Sequence, residues 1–157
     1  MPTADGPRAG SAPRVLFVCV KNAGKSQLAA GLMRAAAGDS VGVTSAGTRP
    51  GEAVNPLSAQ SLREVGVDIT GQQPRPVTVD LIAAADVVVT LGAEARIDPG
   101  LVTAAAELRP GTRFETWVTD EPSARGIDGM ERMRLVRDDI AARVADLRDR
   151  LLTSAAR

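Results

Sequence analysis

The stretch Arg14-Val-Leu-Phe-Val-Cys-Val-Lys-Asn-Ala-Gly-Lys-Ser-Gln-Leu-Ala-Ala-Gly-Leu-Met-Arg-Ala-Ala-Ala37 changes its pattern twice. It begins with a short apolar run rich in β-branched residues, which predicts a buried strand over 14–20. A loop containing Gly24 follows, and from Ser26 onward the apolar residues suit a helix. Backbone N–H groups in a loop that enters a helix point toward a common centre, where the helix dipole adds partial positive charge. The stretch therefore predicts a strand, an anion-binding loop and a helix.

The rest of the chain continues the alternation of strands and helices. The predicted elements are a strand over 41–46, a helix over 56–65, a helical turn over 79–84, strands over 86–91 and 113–118, and a helix over 130–152. This order predicts an α/β fold: a single-domain, doubly wound, four-stranded parallel sheet flanked by helices. Ligands of such sheets bind beyond the carboxyl ends of the strands, where the strand order reverses.

The last predicted helix carries a continuous apolar stripe, which we expect to pack across the sheet. The stripe consists of Met133, Val136, Ile140, Val144, Leu147 and Leu151. Arg132, Arg134 and Arg137 fall between these positions, so they are predicted to form the solvated face of the helix.

The composition restricts the class of protein. With 157 residues the chain suffices for one domain, expected over 14–157, while the Pro-, Gly-, Ala- and Ser-rich residues 1–13 predict a disordered tail. The 19 basic and 19 acidic residues cancel, which argues against nucleic acid or a membrane as partner. A single cysteine and no evident signal peptide or membrane span favour the cytoplasm. Without His, no metal site is expected, and acid–base chemistry falls to Asp or Glu.

Cys19 stands at the end of the first predicted strand, immediately before the loop. The start of a helix and the neighbouring Lys25 ammonium both favour a thiolate there. Ser26 can donate a hydrogen bond to the sulfur, and Asn22 can hold the loop from within. These residues predict a nucleophilic thiolate in an oxyanion site.

The loop has two other interpretations. Cys19 can be a small apolar filler at the end of a buried strand, as lone cysteines often are. Gly24-Lys25-Ser26 is also the second half of a nucleotide-binding loop, but Cys19 occupies the place of the first glycine in that motif. No apolar strand ends in an Asp that would hold Mg²⁺, so the nucleotide interpretation is disfavoured.

The pattern Cys-x5-[Arg/Lys]-Ser after an amino-terminal strand resembles the low-molecular-weight protein tyrosine phosphatase superfamily, which includes the phosphatase-like arsenate reductases. Three further stretches also match the superfamily: Ser45-Ala-Gly-Thr, Asn55-Pro-Leu-Ser and Trp117-Val-Thr-Asp-Glu-Pro122. Ser26-Gln27 leans toward the arsenate reductases. Lys25 in place of Arg and the stretch from Gly129 to Asp138 are most like the arsenate–mycothiol transferases.

The resemblance implies a set of site residues. Cys19 is the implied nucleophile, assisted by Lys25 and Ser26, and the implied acid before Pro122 is Glu121, with Asp120 as the alternative. For Asp-Glu-Pro without further context, carboxylates that merely cap a turn are the simpler interpretation. The oxyanion is expected to contact Val20, Lys21, Asn22, Ala23, Gly24, Lys25 and Ser26, with Arg75 as a second cation or a solvated surface residue.

The resemblance also implies an external thiol. Thioredoxin-coupled arsenate reductases pass a disulfide between additional cysteines, and Thr90-Leu-Gly stands where that family carries its second cysteine. Arsenate and mycothiol are therefore the expected substrates, with no bound cofactor and a mycoredoxin-type glutaredoxin acting downstream. Two alternatives stay open: a phosphatase that forms a cysteinyl-phosphate, and a non-catalytic anion-binding module whose thiol has ordinary reactivity.

Overall fold

A computed structural model of the chain describes residues 12–155 and contains a parallel sheet of four strands in the order β2-β1-β3-β4. The strands are β1 Arg14–Cys19, β2 Gly42–Gly47, β3 Val87–Leu91 and β4 Arg113–Trp117. β1 lies between β2 and β3, with Phe17 paired to Ser45 on one side and to Val89 on the other. The predicted doubly wound four-stranded sheet is thereby confirmed, and the strand order reverses beside β1.

Five α-helices connect and cover the strands within the described residues. They are α1 Lys25–Ala37, α2 Pro56–Arg63, α3 Val79–Ala84, α4 Pro99–Leu108 and α5 Gly129–Ala155, with single 3₁₀ turns at Gly38–Ser40 and Pro122–Arg125. Asn55 caps α2, since its Oδ1 accepts from the N–H groups of Leu57 at 2.8 Å and Ser58 at 3.3 Å. The first strand ends at Cys19, so Val20 belongs to the loop.

Helix α4 was not among the predicted elements. Its apolar stripe is short, consisting of Leu101, Ala105 and Leu108, of which Ala105 is buried, Leu101 is partly buried and Leu108 is 65% exposed. Asp98 starts the helix by accepting a hydrogen bond from Gly100 N at 2.9 Å. A helix that buries so little side-chain surface gives only a weak periodic signal in the sequence.

The sheet separates two apolar cores. On one face, Val15 and Phe17 pack with α1, α2 and the whole predicted stripe of α5, which is buried. On the other face, Leu16 and Val18 pack with α3 and α4. Alternate residues of β1 thus point to opposite faces, as expected for a strand covered on both sides.

The amino-terminal edge of the sheet is closed by polar contacts. Pro13 is buried, and its carbonyl accepts a hydrogen bond from Gly42 N at 2.8 Å. Residues 1–11 of the tail predicted over 1–13 lie outside the described residues. Within residues 12–155, no helix is both long enough and apolar enough to cross a membrane.

Candidate active site

The loop Val20–Gly24 joins the carboxyl end of β1 to the start of α1, at the point where the strand order reverses. Every carbonyl from Cys19 to Gly24 accepts a hydrogen bond from outside the loop. The donors are Thr48 N, Arg49 N, Gly51 N and Asn55 N for the carbonyls of Cys19, Val20, Lys21 and Ala23, Gln27 Nε2 for that of Asn22, and Leu28 N for that of Gly24.

These hydrogen bonds orient the peptide groups. In a planar trans peptide the C=O and the following N–H point in opposite directions. Because the carbonyls of Val20 to Gly24 face donors in the neighbouring segment and in α1, the N–H groups of Lys21 to Lys25 point away from those donors. Backbone N–H groups of a loop that enters a helix can bind a tetrahedral oxyanion.

Asn22 holds the turn of the loop. It has a positive φ of 52° and is fully buried. Its Nδ2 donates to Ser26 Oγ at 2.7 Å, and its Oδ1 accepts from Arg75 N at 3.1 Å. Gly47 packs against this turn so closely that an added Cβ would lie 2.7 Å from Val20 O and 2.9 Å from Asn22 N. Gly47 is a supporting residue that no local sequence pattern indicates.

The Cys19 side chain lies at the base of the loop, with 7% of the residue exposed. Its Sγ is 2.9 Å from Ser26 Oγ and accepts from Asn22 N at 3.2 Å. Ser26 Oγ accepts from Asn22 Nδ2, so the single hydroxyl hydrogen is available to point at the sulfur. Ser26 Oγ and Asn22 N therefore both lie at hydrogen-bond distance from Sγ.

The carboxylates before Pro122 have separate partners. Glu121 forms an ion pair with Lys25 through Oε1, and its Oε2 is 3.9 Å from Arg132 Nη2. Asp120 is held by both terminal nitrogens of Arg125, at 2.8 and 3.2 Å. The hydrogen bonds from Arg125 hold the pKa of Asp120 below its usual range. Of the two predicted acids, Glu121 is therefore the one in contact with the loop.

Arg75 reaches the loop through its main chain. Its N–H donates to Asn22 Oδ1, whereas its side-chain Nε donates to Ser45 O at 3.1 Å, on strand β2. Burial of Arg34 and the charge of Arg75 lower the pKa of Arg34 on α1. The side chain of the predicted second cation thus contacts β2 and lies near Arg34 of α1, and its contact with the loop is through the backbone.

Of the three α5 arginines predicted on the solvated face, Arg134 is exposed, Arg132 is partly exposed and Arg137 is buried. Arg137 is buried, and its Nη1 donates to Ser61 O and to Glu64 Oε1, both at 2.9 Å, so the prediction of a solvated Arg137 is wrong. Arg134 pairs with the same Glu64. Among residues 12–155, no group of three or more His, Cys, Asp or Glu side chains is placed to hold a metal ion.

Comparison with known proteins gives a consistent result. The profile of the family described as Low molecular weight phosphotyrosine protein phosphatase matches residues 14–155. A Glutaredoxin arsenate reductase of Synechocystis sp. is 31% identical over 135 residues, which cover 85% of this chain and 95% of that protein.

Two solved structures share the fold. One, the thioredoxin-dependent arsenate reductase of Corynebacterium glutamicum, has a TM-score of 0.71 and 33% identity, over 93% of this chain and 65% of the other. The second is an arsenate reductase in the phosphate binding state, with a TM-score of 0.71 and 30% identity, over 88% of this chain and 98% of the other.

Proposed function

Because this chain belongs to the low molecular weight phosphotyrosine protein phosphatase family, we propose that it is an arsenate reductase that works as an arsenate–mycothiol transferase. The observation that carries the proposal is Cys19, which lies at the base of the loop with its Sγ hydrogen-bonded to Ser26 Oγ and to Asn22 N. Relatives that are named arsenate reductases match most of the chain at 30% identity or more.

Arsenate binds to the N–H groups of Lys21 to Ser26, with the Lys25 ammonium as counter-charge and Cys19 Sγ below the arsenic. Donors fixed in place before the anion arrives stabilise developing charge without reorganisation. The Cys19 thiolate attacks arsenic, and the departing oxygen leaves as water after it is protonated. Glu121, or Asp120 beside it, supplies the proton. Arsenic remains pentavalent in this step.

The second substrate is an external thiol, because the chain contains one cysteine and cannot form an internal disulfide. The sulfur of mycothiol displaces Cys19 from arsenic and releases the enzyme. A thiolate of a mycoredoxin-type glutaredoxin then attacks the mycothiol sulfur, and the electron pair of the sulfur–arsenic bond goes to arsenic. The products are arsenite and a mixed disulfide, so the reducing electrons come from thiols.

Phosphatase activity is the alternative suggested by the family, and the aromatic residues argue against it. A phosphotyrosine ring needs an aromatic or apolar wall beside the loop. The chain has three aromatic residues. Phe17 and Trp117 are buried against each other, with ring centroids 5.7 Å apart, and Phe114 lies near the amino-terminal end of β4. A small inorganic oxyanion requires no such wall.

The test is an arsenite-formation assay in which mycothiol with mycoredoxin, glutathione with glutaredoxin, and thioredoxin are supplied one at a time. We expect turnover with mycothiol and mycoredoxin, and loss of at least about a thousandfold in Cys19→Ser, because the hydroxyl is a far weaker nucleophile. Turnover with thioredoxin alone would contradict the external-thiol step. Rapid hydrolysis of an aryl phosphate without any thiol would favour the phosphatase.

A further inference from the structure

The Lys25 ammonium, which the loop offers to an anion, already has a partner. Glu121 Oε1 accepts from Lys25 Nζ, although 96 residues separate the two in sequence. A carboxylate is itself an oxyanion, and an ionised carboxylate only accepts hydrogen bonds. The carboxylate of Glu121 is therefore paired with the same ammonium that an incoming anion would pair with.

Glu121 has a second cation beside it. Its Oε2 lies 3.9 Å from Arg132 Nη2, and Arg132 comes from the first turn of α5. The Arg132 Nε is buried, and no acceptor within the described part of the chain lies at hydrogen-bond distance from it. When Lys25 leaves Glu121, the carboxylate remains next to a guanidinium with hydrogen-bonding capacity to spare, so the exchange leaves no carboxylate unpaired.

We propose that Glu121 is an internal competitor of the substrate: an oxyanion binds by displacing the Glu121 carboxylate from Lys25, and Glu121 is then retained by Arg132. This inference rests on the proposed function in so far as the loop binds an oxyanion. It assigns Glu121 a role in setting anion affinity, apart from any role as a proton donor. Displacement of Glu121 lowers the affinity of every anion that pairs with Lys25.

The identity of residue 25 matters for this competition. An ammonium is a compact point charge, whereas a guanidinium presents five N–H donors in a planar fork and can contact two carboxylate or oxyanion groups at once. Lys25 therefore exchanges one partner for the other. An arginine at this position would keep both, and removal of the Glu121 carboxylate would then change anion affinity little.

The experiment measures the affinity of the full chain for inorganic phosphate by titration calorimetry. The variants are Glu121→Gln, Asp120→Asn, Lys25→Arg and Lys25→Arg combined with Glu121→Gln. Asp120→Asn is the matched control. It removes the same charge one residue away from Glu121, and the carboxylate of Asp120 pairs with Arg125 instead of Lys25. Protection of Cys19 from iodoacetamide by phosphate gives a second, independent affinity.

We expect Glu121→Gln to bind phosphate about two- to fivefold more tightly than the unmodified chain, the range set by an exposed ion pair. Asp120→Asn, and Glu121→Gln in the Lys25→Arg background, should each change the affinity by less than about twofold. Unchanged or weaker binding by Glu121→Gln would overturn the competition. An equal gain in Asp120→Asn would do the same, since it would indicate general charge repulsion.

Phosphate binding separates this inference from the proposed function. Tighter phosphate binding by Glu121→Gln in a protein that forms no arsenite would leave the competition intact and refute the arsenate reductase. Normal arsenite formation by the unmodified chain, with unchanged phosphate affinity in Glu121→Gln, would support the arsenate reductase and refute the competition. Circular dichroism of each variant confirms the fold, which we expect to persist because the Glu121 side chain is 45% exposed.

Discussion

At the scale of single residues, Asn22 determines the shape of the site. It combines a positive φ, a hydrogen bond to Ser26 Oγ and a hydrogen bond from Arg75 N in a fully buried position. The left-handed conformation is unfavourable for residues other than Gly, with Asn among the better tolerated. The side-chain contacts compensate for this cost, so conformation and hydrogen bonding depend on each other.

Substitutions of Asn22 separate the two contributions. Asn22→Ala loses the side-chain hydrogen bonds, and we expect the free energy of unfolding to fall by about 2 kcal/mol or more, because the Arg75 N–H loses its acceptor and the buried Ser26 Oγ loses its donor. Asn22→Gly loses the same hydrogen bonds but adopts positive φ freely, so it should be more stable than Asn22→Ala by about 1 kcal/mol. Urea denaturation measures both values. Equal stabilities of the two variants would mean that the backbone conformation costs nothing here.

What the sequence could predict at this scale depended on distance along the chain. Cys19, Asn22 and Ser26 lie within one loop, and the contacts expected among them are present. The pairing of Lys25 with Glu121 joins residues 96 positions apart, and no local pattern indicates such a pair. Gly47 was not identified as a support of the loop, because its close approach to Val20 and Asn22 exists only after the strands pair.

At the scale of elements, Glu64 connects two helices. It follows the last residue of α2 and pairs with Arg134 at 2.6 Å and with Arg137 at 2.9 Å, both on α5. The hydrogen bonds from Arg134, and then those from Arg137, lower the pKa of Glu64 from 4.5 to about 2. A carboxyl whose pKa is depressed in the folded state stabilises the protein above its unfolded-state pKa.

This contact makes stability depend on pH in acid. The contribution of Glu64 should be complete above about pH 4.5 and should fall away as the pH drops toward about 2. At pH 7 we expect Glu64→Gln to lower Tm by about 1 to 4 °C, and this difference from the unmodified chain should narrow below pH 4.5. Thermal unfolding followed by circular dichroism tests it, with the exposed Glu107→Gln on α4 as control. A difference that stays constant down to pH 2 would contradict the assignment.

Helices were predictable to the extent that they bury an apolar face. All six residues of the α5 stripe are buried, and the helix is longer at both ends than the stripe indicated. Arg137, by contrast, was placed on the solvated face, because a sequence pattern does not reveal that α2 presents Ser61 O and Glu64 to its guanidinium. Helix α4 has one buried residue, so its sequence gives only a weak periodic signal.

At the scale of the whole molecule, the two edges of the sheet have separate tasks. The anion loop lies at the carboxyl edge. At the amino edge, Asp86 accepts from Arg14 N at 2.7 Å and from Arg109 Nη2 at 2.5 Å, and both charged side chains are 7% exposed. Strand β1 separates Arg14 from Cys19 by five residue steps, roughly 17 Å.

Substitution at the amino edge should therefore lower the free energy of unfolding and leave the anion affinity unchanged. We expect Asp86→Asn to lower the free energy of unfolding by about 3 to 5 kcal/mol, because the Arg109 charge loses its buried carboxylate partner. The anion affinity of the folded protein at low temperature should stay within about twofold of the unmodified value. Urea denaturation and phosphate titration give the two quantities. A large loss of phosphate affinity without loss of stability would contradict this separation.

The hydrogen bonds that hold the loop carbonyls have a consequence for protein engineering. The residues from Thr48 to Asn55 supply four of the six donors, and α1 supplies the other two. An eight-residue graft of Cys19 to Ser26 onto another strand and helix would carry the nucleophile and the cation but not these donors. Its peptide groups would be free to rotate, and the orientation of the N–H groups of Lys21 to Lys25 would be lost. The smallest transferable unit is thus a discontinuous one, in which a second chain segment serves as the template for the first.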